Sequence, residues 1–216
     1  MEKNYTYIFD GMNAFEREVK RWFDFFFSLI CLIFFSPLFL VCYIVIRRDD
    51  PHGPVIYQQE RIGRFGRPFT IYKFRSMIVN AEENGPELYN TTGDKRLTKA
   101  GKFLRNHHLD ELPQLWNVLR GDMSFVGPRP ERKFYIDQIM KQDCRYKYLY
   151  QIRPGITSYA TLYNGYTDTI EKMLKRLEMD LDYLKRRSWW EDFKIMCLTL
   201  IHVVTGKKSQ TQHPQQ

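Results

Sequence analysis

With 216 residues, a formal charge of +8 and a pI near 9.3, the chain is long enough for one domain plus a membrane element and too short for two ordinary domains with a linker. The basic excess points to an anionic partner, whether nucleic acid, acidic lipid headgroups or a phosphorylated substrate. Cys31, Cys42, Cys144 and Cys197 have neither metal-ligand nor redox-pair spacing, which excludes a disulfide framework and reads as reduced packing residues in a cytoplasm-facing protein.

Residues 1–21 read as a mobile lead-in and the start of a membrane helix, with Arg17, Lys20 and Arg21 just before the apolar run. Phe25 to Ile46 carries no charge, so residues 22–46 form a membrane segment by length, and no small-residue cleavage site follows to make it a signal peptide. Ser36 and Pro37 stand near its middle. A spanning helix tolerates such a proline, but Arg47 and Arg48 match the basic flank at the other end, so charge sets no crossing direction. A break at Pro37 makes two half-helices, each too short to span, and a hairpin that returns to its starting face.

After a turn-rich exit at Asp49 to Pro54, Val55 to Ile62 and Phe69 to Met77 read as strands joined by Gly63-Arg64-Phe65-Gly66-Arg67. Tyr72 and Phe74 alternate with Lys73 and Arg75, which predicts one packed face and one cationic face. Val79 to Lys95, with Gly85-Pro86 and Asn90 to Gly93, reads as a mobile loop. Thr98 can cap a helix running through Phe103 and Leu104. His107 and His108 point about a third of a turn apart on a helix, which makes them poor joint metal ligands.

Leu104 to Pro130, LRNHHLDELPQLWNVLRGDMSFVGPRP, carries the chemistry. Leu109, Leu112, Leu115, Trp116 and Leu119 recur at spacings of three and four, predicting a helix with an inward apolar face. Pro113 suits its first position. Asp110 and Glu111 then lie at the helix mouth, where free N–H groups favour negative charge, and Arg105 and Arg129 flank them with forks that match phosphate oxygens. On spacing alone, ordinary first-turn carboxylates with a solvated arginine rim fit equally well.

Glu131 to Tyr150 reads as one helix mixing aromatics with cations, a composition that suits a membrane interface or nucleic acid. No zinc, RNA-recognition or helix-turn-helix signature accompanies the charge, so nucleic acid is not expected as a partner. Past Ile152 to Thr157, Asp180 lies on a helical stretch whose acidic face can pair with Lys175 and Arg176. Phe193, Met196, Cys197, Leu200, Ile201 and Val204 form one apolar stripe, core-facing by default, although Trp189 and Trp190 at its start also suit a headgroup zone. Residues 207–216 read as a disordered tail.

The string LDELPQLWNVLRGDMSFVGPRP closely resembles the signature of bacterial sugar transferases, the monotopic phosphoglycosyl transferases that begin lipid-linked glycan assembly. GPVIYQQERIGRFGRPFTIYKFRSM, IRPGIT and Glu178-Met179-Asp180 resemble further signatures of the family, and the likeness runs from about Lys20 to Thr205. It departs at Ser158 to Tyr166, where the family commonly has Gly-Trp-Ala-Gln-Val-Asn-Gly-Arg, so nucleotide and sugar recognition are the least transferable part.

The resemblance implies that Asp110 attacks the β-phosphate of a UDP-sugar, releasing UMP, and that polyprenyl (undecaprenyl) phosphate takes the sugar phosphate off the enzyme. Glu111 would place Mg2+ together with Asp110 and assist the second attack. Lys73, Arg75, Arg105, Arg129, Arg153 and Asp180 become the substrate-site candidates, Arg153 alternatively fixing a turn. The product would feed exopolysaccharide, capsule or glycoprotein assembly at the bacterial inner membrane, with downstream glycosyltransferases and a second copy of the chain as further partners. The expected architecture is a single α/β, mostly helical, membrane-associated domain. It has a re-entrant helix-break-helix hairpin broken at Ser36-Pro37, amphipathic interfacial helices and a small β-hairpin, with residues 47–206 forming the catalytic part on the cytoplasmic leaflet. The length leaves no room for the additional N-terminal helices of the family's long forms. Two rivals remain: a membrane-bound nucleotide-sugar hydrolase or phosphatase, and a basic membrane-anchored binding module that would be indifferent to loss of Asp110.

Overall fold

The computed structural model describes residues 7–83, 94–165, 167 and 169–205. Tyr166, most of the expected loop at Gly85 to Gly93 and the tail after Thr205 lie outside the described residues.

Helix α1 (Ala14–Phe34) opens on a capping box, in which the Asn13 side chain accepts from Glu16 N at 2.9 Å and Glu16 returns a bond to Asn13 N at 2.8 Å. It ends at Phe34, and α2 (Ser36–Asp49) starts at once with Pro37 in its first turn, where a missing N–H is harmless. The two axes meet at 60°. Among the described residues no single helix is long and apolar enough to cross a membrane, and this bent pair alone meets such a test when taken together.

Strands β1 (Ile56–Ile62) and β2 (Pro68–Phe74) form an antiparallel hairpin in the register Ile56 to Phe74 and Ile62 to Pro68. The second strand stops three residues short of the expected Met77. Its loop is a 3-10 turn over Arg64–Gly66, in which Phe65 adopts φ 61. Helix α3 (Lys99–Asn106) is capped by Thr98 as the sequence suggests, with Thr98 Oγ1 accepting from Gly101 N at 2.9 Å. A 3-10 turn over Leu109–Glu111 then leads into α4 (Gln114–Arg120). The helix thus starts within a residue of the expected Pro113, with the dyad at its mouth on a 3-10 turn. Pro113 is the residue that caps α4, and Trp116 is exposed while Gln114, Leu115, Asn117 and Val118 are buried.

The short strands β3 (Ser124–Val126) and β4 (Gly155–Thr157) pair in parallel. They need glycine where they cross, since a Cβ on Gly155 would stand 2.1 Å from Gly127 N. The expected helix from Glu131 to Tyr150 is interrupted. Helix α5 (Lys133–Gln142) ends at Asp143, whose carboxylate caps a 3-10 stretch over Cys144–Gln151 by accepting from Arg145 N at 2.9 Å. Helices α6 (Tyr159–Tyr163), α7 (Ile170–Arg186) and α8 (Trp189–Thr205) complete the order.

The main core lies between α7 and α5, where Met173, Leu177, Leu181 and Leu184 meet Ile136 and Ile139. Tyr135, Tyr146 and Tyr148 are buried in it, so these aromatics serve packing and not the interfacial surface their cationic neighbours suggest. A second cluster seats Cys42 and Ile46 of α2 on Val55, Phe74 and Leu104.

Two expectations reverse. Residues 7–13 are docked and not a mobile lead-in: Ile8 and Met12 are buried, and Asp10 meets Arg17 at 3.3 Å and Arg187 at 3.4 Å. The α8 stripe faces outward, with Trp190 69 % exposed and Phe193, Leu200 and Ile201 more than half exposed. Ile195, off that stripe, is buried in the core, and of the stripe's own residues Met196 packs against it half-buried. Trp22, Phe26, Ile30, Ile33 and Phe34 of α1 and Leu40 and Val41 of α2 are likewise exposed. Helix α1 joins α8 through its other, polar face, where Lys20 Nζ lies 2.5 Å from Asp192 Oδ2 and both are buried. An apolar surface this large on three helices is far beyond the scattered exposed residues normal for a folded domain.

Candidate active site

The dyad sits where three elements converge. The last turn of α3 supplies Arg105. His108 then takes a left-handed conformation at φ 55, which reverses the chain into the 3-10 turn carrying Asp110 and Glu111. Strand β2 brings Lys73 opposite that turn. What holds β2 to α4 is Asn117, whose Oδ1 accepts from Tyr72 N at 3.1 Å and whose Nδ2 donates to Thr70 O at 2.7 Å. Lys73 is therefore fixed by the backbone of its own neighbours, and its Nζ reaches Glu111 Oε1 at 2.7 Å. Arg129, just past β3 in the Gly-Pro-Arg-Pro turn, places Nη2 3.3 Å from the same oxygen.

The two carboxylates are perturbed in opposite directions. Burial by itself would raise Glu111, but the Lys73 ammonium and then the Arg129 guanidinium override it and hold the group far below the usual carboxylate range. Asp110, 5 % exposed, is raised, first by burial and then by the Glu111 charge beside it. Arg105 faces it with Nε 3.9 Å from Oδ2, too long for a hydrogen bond. Lys73 is in turn lowered by burial against the pull of Glu111, and Arg129 is raised chiefly by Glu111. The result is one clamped carboxylate held toward its charged form next to one loosely held, more basic carboxylate. That pairing is the arrangement expected of a nucleophile beside a charge-fixing partner.

Among the described residues no group of three His, Cys, Asp or Glu is placed to hold a metal ion. His107 and His108 are exposed, in keeping with their reading as surface residues. Asp110 and Glu111 do fit a hard divalent cation such as Mg2+, which takes one or two carboxylates and completes its shell with water and substrate phosphate. A cation there would also offset the like charges that raise Asp110.

Of the ten residues singled out from the sequence as site or hinge, four converge here: Asp110, Glu111, Lys73 and Arg129. Arg105 borders them, and Ser36 and Pro37 form the α1–α2 break, with Ser36 Oγ donating to Ile33 O at 2.7 Å. Three site candidates go elsewhere. Arg75 is buried against Asp50, donating to its carbonyl at 2.5 Å and meeting its carboxylate at 3.4 Å, so it ties β2 to the end of α2. It crosses Gly53 so closely that a Cβ there would lie 1.5 Å from Nη1. Arg153 donates from Nε to Gly121 O at 2.8 Å, which realises its turn-fixing alternative. Asp180 is buried on α7, not on an acidic solvent face, and reaches the site only through a small cavity that Arg129 also lines.

Sequence reasoning missed Asn117, Arg21, Arg61, Glu131 and Arg176. Arg21 of α1 caps α4, donating to Val118 O and Leu119 O at 2.7 Å each. Glu131 lies between Arg176 at 2.9 Å and Arg61 at 3.6 Å. Glu131 and Arg176 are 45 residues apart, so no local signal in the sequence could have found the pair.

Residues 15–206 match the family described as bacterial sugar transferase. A UDP-N-acetylgalactosamine-undecaprenyl-phosphate N-acetylgalactosaminephosphotransferase of Aeromonas hydrophila is 40% identical over 188 residues, 87% of this chain and 44% of that protein. A UDP-glucose:undecaprenyl-phosphate glucose-1-phosphate transferase of Klebsiella pneumoniae is 42% identical over 205 residues, 94% of this chain and 44% of that protein. A protein of the same description from Caulobacter vibrioides is 40% identical over 189 residues, 86% of this chain and 70% of that protein. The chain thus spans less than half the length of the first two.

Proposed function

We propose a phosphoglycosyl transfer for this chain, which belongs to the bacterial sugar transferase family. A sugar 1-phosphate passes from a UDP-sugar to polyprenyl phosphate in two steps. In the first, an Asp110 carboxylate oxygen forms a bond to the β-phosphorus of the donor, the bond to the α-phosphate oxygen breaks, and UMP leaves. In the second, a phosphate oxygen of the polyprenyl acceptor attacks the aspartyl phosphosugar and returns Asp110 as a carboxylate. Splitting one difficult displacement into two is what a covalent intermediate offers.

The observation that carries this reading is the clamp of Lys73 Nζ and Arg129 Nη2 on Glu111 Oε1 beside the buried Asp110. Glu111 fixes Lys73 and Arg129 beside Asp110, so their charges are already oriented when a diphosphate arrives. Raised basicity makes Asp110 the better nucleophile of the two once it is ionised. Mg2+, held by Asp110 and Glu111, would supply charge neutralisation on the diphosphate.

The outward apolar faces of α1, α2 and α8 support a membrane seat for the protein. The bent α1–α2 pair enters one leaflet and returns, and the catalytic part lies on the cytoplasmic face, where its donor is dissolved. The acceptor phosphate then arrives at the surface that carries the dyad.

Intact-protein mass after mixing the purified chain with UDP-sugars and Mg2+, without lipid, tests the reading. A gain of one sugar phosphate with UMP released, absent in Asp110→Asn and discharged by polyprenyl phosphate, is expected, and it would name the sugar. An adduct discharged by water but not by the lipid would make the chain a hydrolase. Folded protein that gives no adduct, and no transfer when lipid is added, would refute the assignment.

A further inference from the structure

We propose that Asp180 is a positioning residue that acts through Arg176 and Glu131 to decide where Arg129 directs its charge; this rests on the transferase reading above. Asp180 lies on α7 with 2 % exposure, and its Oδ1 meets no donor among the described residues. It faces a small cavity that Arg129, Glu131, Tyr146 and Arg176 also line. The charged side chains from the dyad to α7 alternate in sign: Glu111, Arg129, Glu131, Arg176, Asp180. Glu131 approaches Arg129 closely enough to raise it, and it accepts from Arg176 Nη1 at 2.9 Å.

Every element packed around Asp180 leaves it short of compensation. Arg176, one turn earlier on α7, directs Nη1 to Glu131 and Nη2 to Gly165 O at 3.3 Å. Ser158, the cap of α6, hydrogen-bonds to the carboxyl group. Tyr146, from the 3-10 stretch, is pushed well above its ordinary range by burial and carries no charge. Glu131, from the segment before α5, repels a negative charge. Burial first, with Glu131 assisting and Arg176 opposing, lifts Asp180 to about 7.

With Arg176 committed to Glu131 and Gly165 and Asp180 Oδ1 without a donor, the arrangement suits the neutral acid. An ionised carboxylate one turn from Arg176 would draw that guanidinium toward itself and away from Glu131. Glu131, left with Arg61 at 3.6 Å as its remaining partner, competes more strongly with Glu111 and with the donor diphosphate for Arg129. Ionising Asp180 thus loosens the grip on the donor, and protonating it restores the clamp.

The test is the KM for the UDP-sugar between pH 6 and pH 8, read from UMP release by the full chain with Mg2+ and polyprenyl phosphate. Wild-type KM should rise several-fold across this range, while Asp180→Asn, which cannot ionise, keeps a low KM throughout. A residue of merely structural importance would shift both proteins in parallel, and parallel profiles overturn the proposal. Should Asp180→Asn fail to fold, Glu131→Gln removes the competitor for Arg129 and is expected to flatten the profile, and an unaltered slope in that variant overturns it equally. Wild-type protein that turns over no UDP-sugar at any pH sinks the transferase reading, and this proposal with it.

Discussion

Two carboxylate clusters meet at Arg129, and burial has opposite outcomes in them. At the dyad, Glu111 is buried beside Lys73 and Arg129 and stays charged. On α7, Asp180 is buried beside Arg176 and is lifted to about 7. Both have cations within reach. The difference lies in where the donors point: Lys73 Nζ and Arg129 Nη2 both end on Glu111 Oε1, whereas Arg176 aims at Glu131 and Gly165 and leaves Asp180 Oδ1 without a donor. A nearby cation favours the ionised carboxylate most when its N–H groups are directed at it.

The largest effect should come from removing Asp110, the proposed nucleophile beside the clamped Glu111. Asp110→Asn keeps the shape of the turn but cannot form the acyl phosphate. UMP release should fall by about 10^4-fold or more, a barrier increase of roughly 5 kcal/mol. Because Asp110 is buried among charges, a neutral amide should leave the melting temperature unchanged or higher. An Asp110→Asn enzyme that still releases UMP at a substantial fraction of the wild-type rate would move the nucleophile elsewhere.

The next effect concerns stability at the other cluster. Burial lifts the Asp180 carboxyl in the folded protein to about 7, against its ordinary value of 3.8. The folded state therefore holds a proton that the unfolded chain gives up at lower pH. Stability is fully present below about pH 4 and is lost as pH rises through about 7. At about 1.4 kcal/mol per unit, the loss is on the order of 4 kcal/mol as an upper bound. Denaturant unfolding of wild type and Asp180→Asn from pH 4 to pH 8 should diverge in the variant's favour up to about pH 7 and then run level. A constant difference would mean that Asp180 is ionised in the folded protein and that the two clusters do not differ as described.

Lys73→Gln should make the dyad resemble the α7 cluster. With one of two directed cations gone, burial lifts Glu111, and Asp110 and Glu111 then compete for a proton. The acid limb of the pH profile of kcat/KM should move to higher pH, and the maximal rate should drop by about 10^2-fold, the usual magnitude for losing one preorganised charge. An unmoved acid limb would show that Arg129 alone suffices.

Much of the dyad cluster is legible in the sequence because its members lie in two short, distinctive stretches. The α7 cluster is not, since Glu131 and Arg176 are 45 residues apart and nothing local marks either as a partner. The same blindness to distant pairing misreads the flank of the membrane segment. Arg17, Lys20 and Arg21 look like free cations before an apolar run, yet they meet Asp10, Asp192 and the end of α4 respectively. Periodicity likewise identifies the apolar stripe of α8 without saying whether core or lipid receives it; the outward orientation is a property of how α1 and α7 occupy its other side. The break at Asp143 escaped because aromatic and cationic residues continue on both sides of it.

Arg153 gives the smallest effect and the sharpest check on which arginines belong to the transfer site. It follows Ile152 in the Ile-Arg-Pro-Gly turn and from sequence alone is as good a phosphate ligand as Arg129. In the fold its Nε donates to Gly121 O at the left-handed end of α4, and burial with Arg64 and Arg21 nearby lowers its pKa. Arg153→Gln should lose that hydrogen bond at a cost of about 1 kcal/mol in unfolding free energy, with the donor KM nearly unchanged. Arg129→Gln, by contrast, should raise the donor KM by about tenfold or more, as expected for a charge-assisted phosphate contact. If the Arg153 variant raised KM as Arg129→Gln does, the arginine at α4 would have to swing to the donor on binding. The end of α4 would then belong to the moving part of the site and not to its frame.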